Sequence, residues 1–266
     1  MYFSELAKEI KKECGRDANV ELIVVGGASI LLNYDFREST IDVDALVSSR
    51  ISIKESINRV GDKYGLPNGW INSDFKTTNS FSPKLVQFSK YYKTFNQSLT
   101  VRTVESEYLI AMKLASLRKY KYDRSDIVGI LQANKDTNPI SFKKIDKAVI
   151  ELYGTWERLP VDAKDIVQKT ISQIDDKELY LLTLKEETFN KELLINFEID
   201  YENVLKEDNI DAILISLQMK EKQLINDKTS IKRLAQKEQR QERNSNKKPY
   251  SQRVQEGKDK AAEHNG

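Results

Sequence analysis

Two aspartates stand two residues apart in the apolar segment STIDVDALV, residues 39–47. If this segment is a strand, its side chains alternate, so the apolar residues share one face and Asp42 and Asp44 share the other. Carboxylates on one face repel each other, and burial raises the cost of keeping both charged. A bound Mg²⁺ or Mn²⁺ removes that conflict and would assist attack on a phosphate. The spacing therefore predicts a metal site at these aspartates, with a solvated strand edge as the alternative.

A glycine pair, Gly26 and Gly27, separates a short apolar run from a helical pattern just ahead of the aspartates. Without a Cβ atom, glycine lets backbone N–H groups approach a phosphate, and the following helix presents its positive end to an anion. Ser29 offers a hydroxyl donor, while Arg37 and Thr40 stand where a phosphate or a base is within reach. These residues predict a nucleotide-binding turn, although Gly-Gly alone is also the ordinary sequence of a tight turn.

The scarcity of histidine and cysteine excludes several kinds of site. His264 is the only histidine and Cys14 the only cysteine. A Ser-His-Asp triad, a histidine-rich zinc site and an internal disulfide are therefore excluded. A single cysteine in a chain of 266 residues also favours a reducing compartment.

The charge is nearly balanced overall, at +2, but it is unevenly distributed. Residues 229–266 contain ten Lys or Arg and five Asp or Glu. This basic segment predicts a disordered tail, with a contact to RNA, DNA or an acidic partner as the alternative. The sequence shows neither the apolar run of a signal peptide nor one of membrane-spanning length, so we expect a cytoplasmic protein without membrane contact.

The hydrophobic pattern predicts mixed strands and helices in the first half of the chain and helices alone in the second half. Helices are predicted at 4–13, 28–34, 52–65, 106–120 and 125–134, and strands at 20–25, 39–47, 84–95 and 98–104. The last two strands form a hairpin that turns at Asn96 and Gln97. The segment 67–83 is rich in Pro, Asn, Ser and Gly and is predicted to be a loop.

The second half contains neither Gly nor Pro between Pro160 and Pro249, which is typical of a helical region. The sequence therefore predicts an α/β fold in which a small mixed sheet flanked by helices occupies residues 1–135. A helical domain follows at 136–235 and the basic tail at 236–266. The last helix is expected to start near Asp211 and to run into the tail.

Two segments carry a family resemblance. VVGGASILLNYDFRESTIDVDAL resembles the signature of the polymerase β-type nucleotidyltransferase superfamily, a Gly-Gly or Gly-Ser turn and a helix followed by Asp-x-Asp on the next strand. Its form GGAS…R..T.DVD more closely resembles the AbiEii-like branch of bacterial toxin–antitoxin and phage-defence systems. VESEYLIAMKLASLRKYKYDRSDIVGIL is similar to that branch's Lys-x-x-Ala-x-x-Arg-like helix, Asp-x-x-Asp and apolar helix, with matching positions at Lys113, Arg118, Asp123 and Asp126.

The resemblance implies a nucleotidyltransferase fold and an Mg²⁺- or Mn²⁺-dependent transfer of a nucleoside monophosphate from an NTP to an acceptor. The branch implies a toxin that acts on a tRNA 3′ end or a protein hydroxyl and that has a cognate antitoxin. Two alternatives stay open. One is a small-molecule transferase of the kind that modifies antibiotics, and the other is a non-catalytic binding or antitoxin module with the same fold.

The resemblance also implies that Lys113 and Arg118 steady the charge of a triphosphate. Considered without the family, Lys113 lies among apolar neighbours on its helix, and a charge there is costly unless it has a partner or reaches a cleft. The alternative is a lysine whose stem is buried while its ammonium stays in water.

A third carboxylate completes the metal site in polymerase-like members of the superfamily. The branch resemblance favours Asp126 for this role, with Glu105 and Glu107 as further candidates. The alternative for Asp123 is that it caps the next helix, with Asp126 favourable in the first turn of that helix.

Overall fold

The computed structural model describes residues 2–15, 18–40 and 42–245, and it divides between Glu192 and Leu193 into two compact units. The sheet and the helices that pack on it belong to the first unit. The second unit contains the end of one long helix and all of the next. There Glu198 accepts a hydrogen bond from the backbone N–H of Asn203 at 2.7 Å.

A five-stranded mixed sheet forms the centre of the first unit, as the sequence predicts. Its strands are β1 (Val20–Val24), β2 (Val43–Ser48), β3 (Ile71–Asn72), β4 (Ser89–Phe95) and β5 (Leu99–Val104), in the order β3-β2-β1-β5-β4. The strand β1 lies antiparallel to β2 and parallel to β5. Because Val24 pairs with Ala45, the residue after β1 reaches Asp44, whose carbonyl accepts the Val25 N–H at 2.9 Å.

Nine helices are described in residues 2–245. They are α1 (Tyr2–Cys14), α2 (Gly26–Asn33), α3 (Lys54–Tyr64), α4 (Ser106–Ser116), α5 (Asp123–Asn134), α6 (Phe142–Tyr153), α7 (Ala163–Ser172), α8 (Leu179–Asp200) and α9 (Ile210–Ser245). In this part of the chain, no helix has both the length and the apolar character that a membrane span requires.

The sheet buries apolar residues on both faces. Val20, Leu22 and Val24 contribute to a core shared with α1 and α3. Ile23 and Val25 contribute to a second core shared with α4 to α7. The central strand is therefore apolar except at Glu21, as expected for a strand that is covered on both sides.

The structure differs from the predicted elements at three places. The segment 84–88 belongs to a 3₁₀ helix, Pro83–Phe88, and only Ser89–Phe95 is strand. The predicted loop 67–83 contains the short strand β3 and a 3₁₀ turn, Asp74–Thr77. The strand β2 starts at Val43 rather than at residue 39, so Asp42 precedes it. The hairpin turn is confirmed, with Asn96 and Gln97 at φ of 46° and 62°.

The division of the chain also falls elsewhere than the predicted boundary at residue 135. Ile145 and Val149 of α6 and Val167 of α7 share a core with α4 and α5, so these helices belong to the first unit. The last helix runs from Ile210 to Ser245 and enters the predicted tail, as expected. The remainder of that tail, residues 246–266, lies outside the described residues.

Candidate active site

A cavity of about 480 Å³ opens where the N-terminus of α2, the start of β2 and the connection from α4 to α5 meet. We call it the charged cavity. Its ionisable lining residues are Arg37, Asp42, Asp44, Asp74, Lys113, Arg118, Lys121, Asp123 and Lys191. Gly26, Gly27 and Thr40 also line it, so the structure gathers most of the predicted site residues in one place.

The glycine pair forms the first turn of α2. Gly26 has φ of +58°, which favours glycine, and a Cβ atom there would lie 3.4 Å from an Asp44 carboxylate oxygen. The first intrahelical hydrogen bond runs from the Ser29 N–H to the Val25 carbonyl at 3.2 Å. The preceding N–H groups of the helix, including those of Gly26 and Gly27, therefore have no intrahelical acceptor, which is the arrangement that binds anions.

Because Gly27 has no side chain, the side chains of Arg37 and Thr40 can lie close to its backbone. A Cβ atom at Gly27 would lie 2.7 Å from Nη2 of Arg37 and 3.0 Å from Oγ1 of Thr40. The Thr40 hydroxyl donates to the Asp42 carbonyl at 3.2 Å. The absence of a side chain at Gly27 thus lets the segment before β2 fold back against the start of α2.

Ser29 is placed differently from its predicted role. It is fully buried and does not line the charged cavity, and its hydroxyl has no hydrogen-bond partner among the described residues. Its neighbours on α2, Ala28 and Ile30, are buried with it, so this part of the helix faces the core. The predicted contact between Ser29 and a triphosphate is therefore withdrawn.

Asp42 and Asp44 both line the charged cavity, as the spacing predicts. Asp42 is exposed just before β2, whereas Asp44 lies within the strand and is half-buried. Burial raises the pKa of the Asp44 carboxyl, and the nearby charge of Asp42 raises it further. Lys113 and Arg118 oppose this rise without cancelling it, and Asp74 adds a smaller rise. These carboxylates thus repel one another in a partly desolvated cavity, which is the chemistry expected of a site for a divalent cation.

Besides Asp123 of α5, the cavity contains a further carboxylate, Asp74, which the sequence did not single out because it lies in the segment predicted to be a loop. Among the described residues, no group of three or more His, Cys, Asp or Glu is close enough to hold a metal ion by itself. The donor set therefore fits an ion held by Asp42 and Asp44 whose remaining ligands are substrate phosphates and water.

A buried charge network forms one wall of the cavity. Lys113 of α4 pairs with Asp123 at 2.9 Å and with Asp126 at 2.8 Å, both in the first turn of α5. Arg37 donates to both oxygens of Asp126, at 2.8 and 2.5 Å. Arg118 donates to Asp123 from Nε at 2.9 Å and from its backbone N–H at 3.0 Å. We call these five residues the buried charge network.

Pairing dominates the electrostatics of this network. Burial alone would lower the pKa of Lys113, but Asp123 and Asp126 outweigh burial and hold it above its ordinary value. Burial alone would raise the pKa of Asp123, but Lys113 and Arg118 outweigh it and hold that pKa well below its usual range. Lys113 and Asp123 are therefore charged around neutral pH, and each carboxylate of the network has two cationic partners.

The network decides between the alternatives that the sequence left open. Lys113 does not keep its ammonium in water, because its side chain is only 11% exposed and carries two ion pairs. Asp123 does not cap α5, whose capping position is Tyr122 without a side-chain hydrogen bond. Asp126 is buried and does not line the charged cavity, so it is placed as a partner of Arg37 and Lys113 rather than beside Asp42 and Asp44. Its predicted role as the third carboxylate of the metal site is withdrawn.

Three cations face the carboxylates across the cavity. Arg118 was predicted from sequence, whereas Lys121 and Lys191 were not. Burial lowers the pKa of Lys121, and the positive charges of Arg118 and Lys191 lower it further. No pattern in the sequence marks Lys191, which lies on α8, far from the motifs. Lys121 carries a weak signal, because it follows Arg118 closely in the chain.

Comparison with known protein families identifies the class of molecule. Residues 2–154 match the family described as "Nucleotidyltransferase of unknown function (DUF6036)". The match covers more than half of the chain and includes both aspartates and the glycine pair, and the chain therefore belongs to this family. No curated protein and no solved structure matches the chain.

Proposed function

We propose that the protein is a metal-dependent enzyme that transfers a nucleoside monophosphate from an NTP to an acceptor hydroxyl and releases pyrophosphate. One observation supports this proposal above others. The charged cavity brings two neighbouring carboxylates, Asp42 and Asp44, together with three cations, Arg118, Lys121 and Lys191. A divalent cation with a triphosphate relieves the repulsion within both groups at once.

Each set of residues in the cavity then has a defined role in the reaction. Asp42 and Asp44 would hold Mg²⁺ or Mn²⁺, which when bound neutralises phosphate charge and makes the α-phosphorus more reactive. The backbone N–H groups at Gly26 and Gly27 bind phosphate oxygens, and the cations opposite hold the departing pyrophosphate. One aspartate also accepts the proton of the acceptor hydroxyl, whose oxygen bonds to the α-phosphorus as the bond to pyrophosphate breaks. Catalysis is then positioning together with charge stabilisation.

Lys113 has a supporting task in this scheme. It lines the charged cavity, yet its ammonium is held by Asp123 and Asp126. Lys113 therefore contributes positive electrostatic potential to the phosphates from a fixed position. Arg37 helps to hold Asp126 in place by donating a hydrogen bond to its carboxylate.

We further propose that the acceptor is a tRNA 3′ end or a protein hydroxyl and that the protein acts as a toxin of the AbiEii-like kind with a cognate antitoxin. The support for this finer proposal is the resemblance of GGAS…R..T.DVD and of the segment carrying Lys113, Arg118 and Asp123 to that branch. The cavity is open to solvent through exposed residues such as Asp42 and Lys121, which leaves access for a large acceptor.

The test is acceptor labelling. Purified protein is incubated with each α-³²P-labelled NTP, with Mg²⁺ or Mn²⁺, and with tRNA or cell lysate, and products are separated by size. We expect label on RNA or protein with the wild type and with Asp62→Asn, an exposed aspartate on α3 away from the cavity, but not with Asp42→Asn. Label on a low-mass product would favour the small-molecule alternative. Absence of label under all conditions, or equal labelling by Asp42→Asn, would contradict the transferase.

The toxin role has its own test in growing cells. Expression of the wild type is expected to arrest growth, and Asp42→Asn is expected to relieve the arrest while Asp62→Asn does not. Identical behaviour of the wild type and Asp42→Asn would instead favour a non-catalytic binding module.

A further inference from the structure

A second cavity, of about 380 Å³, lies beside the charged cavity. We call it the aromatic cavity, because its walls include the rings of Phe36, Tyr122 and Tyr180 together with Leu181 and Leu184. Arg37, Glu38 and Asp126 also line it, so it holds three charged side chains, whereas the lining of its neighbour contains nine Asp, Lys and Arg side chains. Both volumes lie within the range of roughly 300–1,000 Å³ that is usual for small-molecule sites.

The rings of the aromatic cavity are held in place by packing. The Phe36 and Tyr180 rings meet edge to face at 5.4 Å, and the Tyr180 hydroxyl donates to the Phe36 carbonyl at 2.9 Å. A Cβ atom at Gly129 would lie 2.5 Å from the Phe36 ring, so the ring lies directly on the backbone of α5. An aromatic surface fixed in this way is suited to bind a flat ligand at low cost in conformational entropy.

The two cavities share a wall. Arg37, Ser39 and Tyr122 line both of them. The guanidinium carbon of Arg37 lies 5.5 Å from the centre of the Tyr122 ring, and Nζ of Lys191 lies 5.7 Å from the same centre. The two cavities are therefore adjacent, and together they offer complementary surfaces to a ligand with an anionic end and a flat apolar end.

We propose that the aromatic cavity binds the base of the NTP whose triphosphate occupies the charged cavity. The inference rests on the proposed function and assigns the base of the donor nucleotide to a specific place. A nucleotide has the required two ends, and its base can stack on an aromatic side chain whatever the sequence. The donor's base is favoured over that of the acceptor because the shared residues make the two cavities adjacent parts of one site.

The experiment compares matched leucines on α8. Leu181 lines the aromatic cavity and Leu182 does not, yet each is 54% exposed, so neither substitution by Asn removes a core side chain. Binding of 2-aminopurine riboside triphosphate, with Mg²⁺, is followed by the quenching of its fluorescence. Binding of inorganic tripolyphosphate is measured by calorimetry. We expect Leu181→Asn to weaken nucleotide binding by about three- to tenfold, as loss of part of an apolar contact would, with tripolyphosphate affinity unchanged and Leu182→Asn equal to the wild type.

Three outcomes would overturn this inference. The nucleotide could bind no more tightly than tripolyphosphate, or its fluorescence could stay unquenched on binding. The third outcome is that Leu181→Asn and Leu182→Asn have equal effects. Quenching that responds to Leu181→Asn only when 2-aminopurine sits at the 3′ end of an RNA would assign the cavity to the acceptor instead. The acceptor-labelling assay tests the transferase separately, since label transfer can persist while the base lies elsewhere, and base binding can persist without transfer.

Discussion

The buried charge network and the charged cavity adjoin each other, but they treat charge in opposite ways. In the network, Lys113 and Arg37 surround Asp126 at hydrogen-bond distance, so opposite charges alternate. Outside the network, the cavity places Asp42 and Asp74 near Asp44 and places Lys191 near Lys121, so like charges lie close together. Arg118 of the network lies near both Asp44 and Lys121.

The difference shows which charges the fold itself requires. A charge that folding removes from water must be compensated within the chain, because an unpaired buried charge is very costly. A group of like charges in an open cavity is tolerated at smaller cost because solvent screens it. It becomes favourable only when a ligand of opposite charge is bound, and the comparison therefore separates structural charges from those that serve binding.

The largest effect on stability is expected inside the network. Asp126→Asn removes one of the carboxylates that hold Lys113 and Arg37, leaving positive charge in excess in a buried place. We expect the free energy of unfolding to fall by about 3–5 kcal/mol, as for other buried pairs that lose one partner. Urea unfolding at pH 7 measures this, with Asp42→Asn as the exposed control. A loss below about 1 kcal/mol would mean that the network is not a structural unit.

The converse is expected for Asp44. Its pKa is raised by burial and by Asp42, so the fold tolerates rather than requires its charge. Asp44→Asn should leave the stability of the ligand-free protein unchanged or higher, while nucleotide transfer falls by at least about 10²-fold, the scale of one lost electrostatic contact in a transition state. Urea unfolding and label transfer on the same preparation decide the matter, and destabilisation comparable to that of Asp126→Asn would refute the distinction.

Glu187 is an intermediate case, a buried carboxylate held by backbone N–H groups at the start of α5. It accepts from Arg124 at 2.8 Å and from Ser125 at 3.1 Å. Burial raises its pKa from 4.5 to about 7 although these N–H groups favour the charged form. Because the folded-state pKa is the higher one, its contribution to stability is full below about pH 4.5 and is lost as the pH rises to about 7.

Glu187→Gln mimics the protonated form and tests this directly. Between pH 5 and 8, the wild type should lose about 1–3 kcal/mol of stability relative to Glu187→Gln, since each pKa unit is worth about 1.4 kcal/mol. Urea unfolding at each pH measures the difference. Glu186→Gln, at an exposed neighbour that pairs with Arg124 at 3.2 Å, should show no such trend. A difference that does not vary with pH would exclude the raised pKa.

The smallest effect is expected at the cations of the cavity. Lys121→Gln and Lys191→Gln each remove one charge from a group whose members repel one another. Stability should not fall, whereas the affinity for tripolyphosphate should weaken about three- to tenfold and more so at low salt. Calorimetry at two salt concentrations measures this, with Lys185→Gln on an exposed position of α8 as the control. Equal affinities for all these proteins would remove the lysines from the site.

Local spacing was sufficient for one half of the candidate site. Gly26 and Asp44 meet because a short helix returns the chain to a strand that pairs with the one before it, and this order is visible in the sequence. The same reasoning failed for Ser29, because the side of α2 that faces the cavity depends on the residue at which the helix starts. It also missed Asp74 and Lys191, whose segments carry no local pattern that reports a long-range contact.

The sequence by itself determined the alternation of strands and helices, the approach of Gly26 to Asp44, and the exclusion of histidine chemistry from residues 1–263. These follow from periodicity and residue type, which act over short distances along the chain. Only the tertiary structure decided that Asp126 is paired with Arg37 and Lys113 and that Lys121 and Lys191 face the aspartates. The sequence gives the sign of each charge and its position in the chain. The partner of each charge depends on the packing of helices that lie far apart in the sequence.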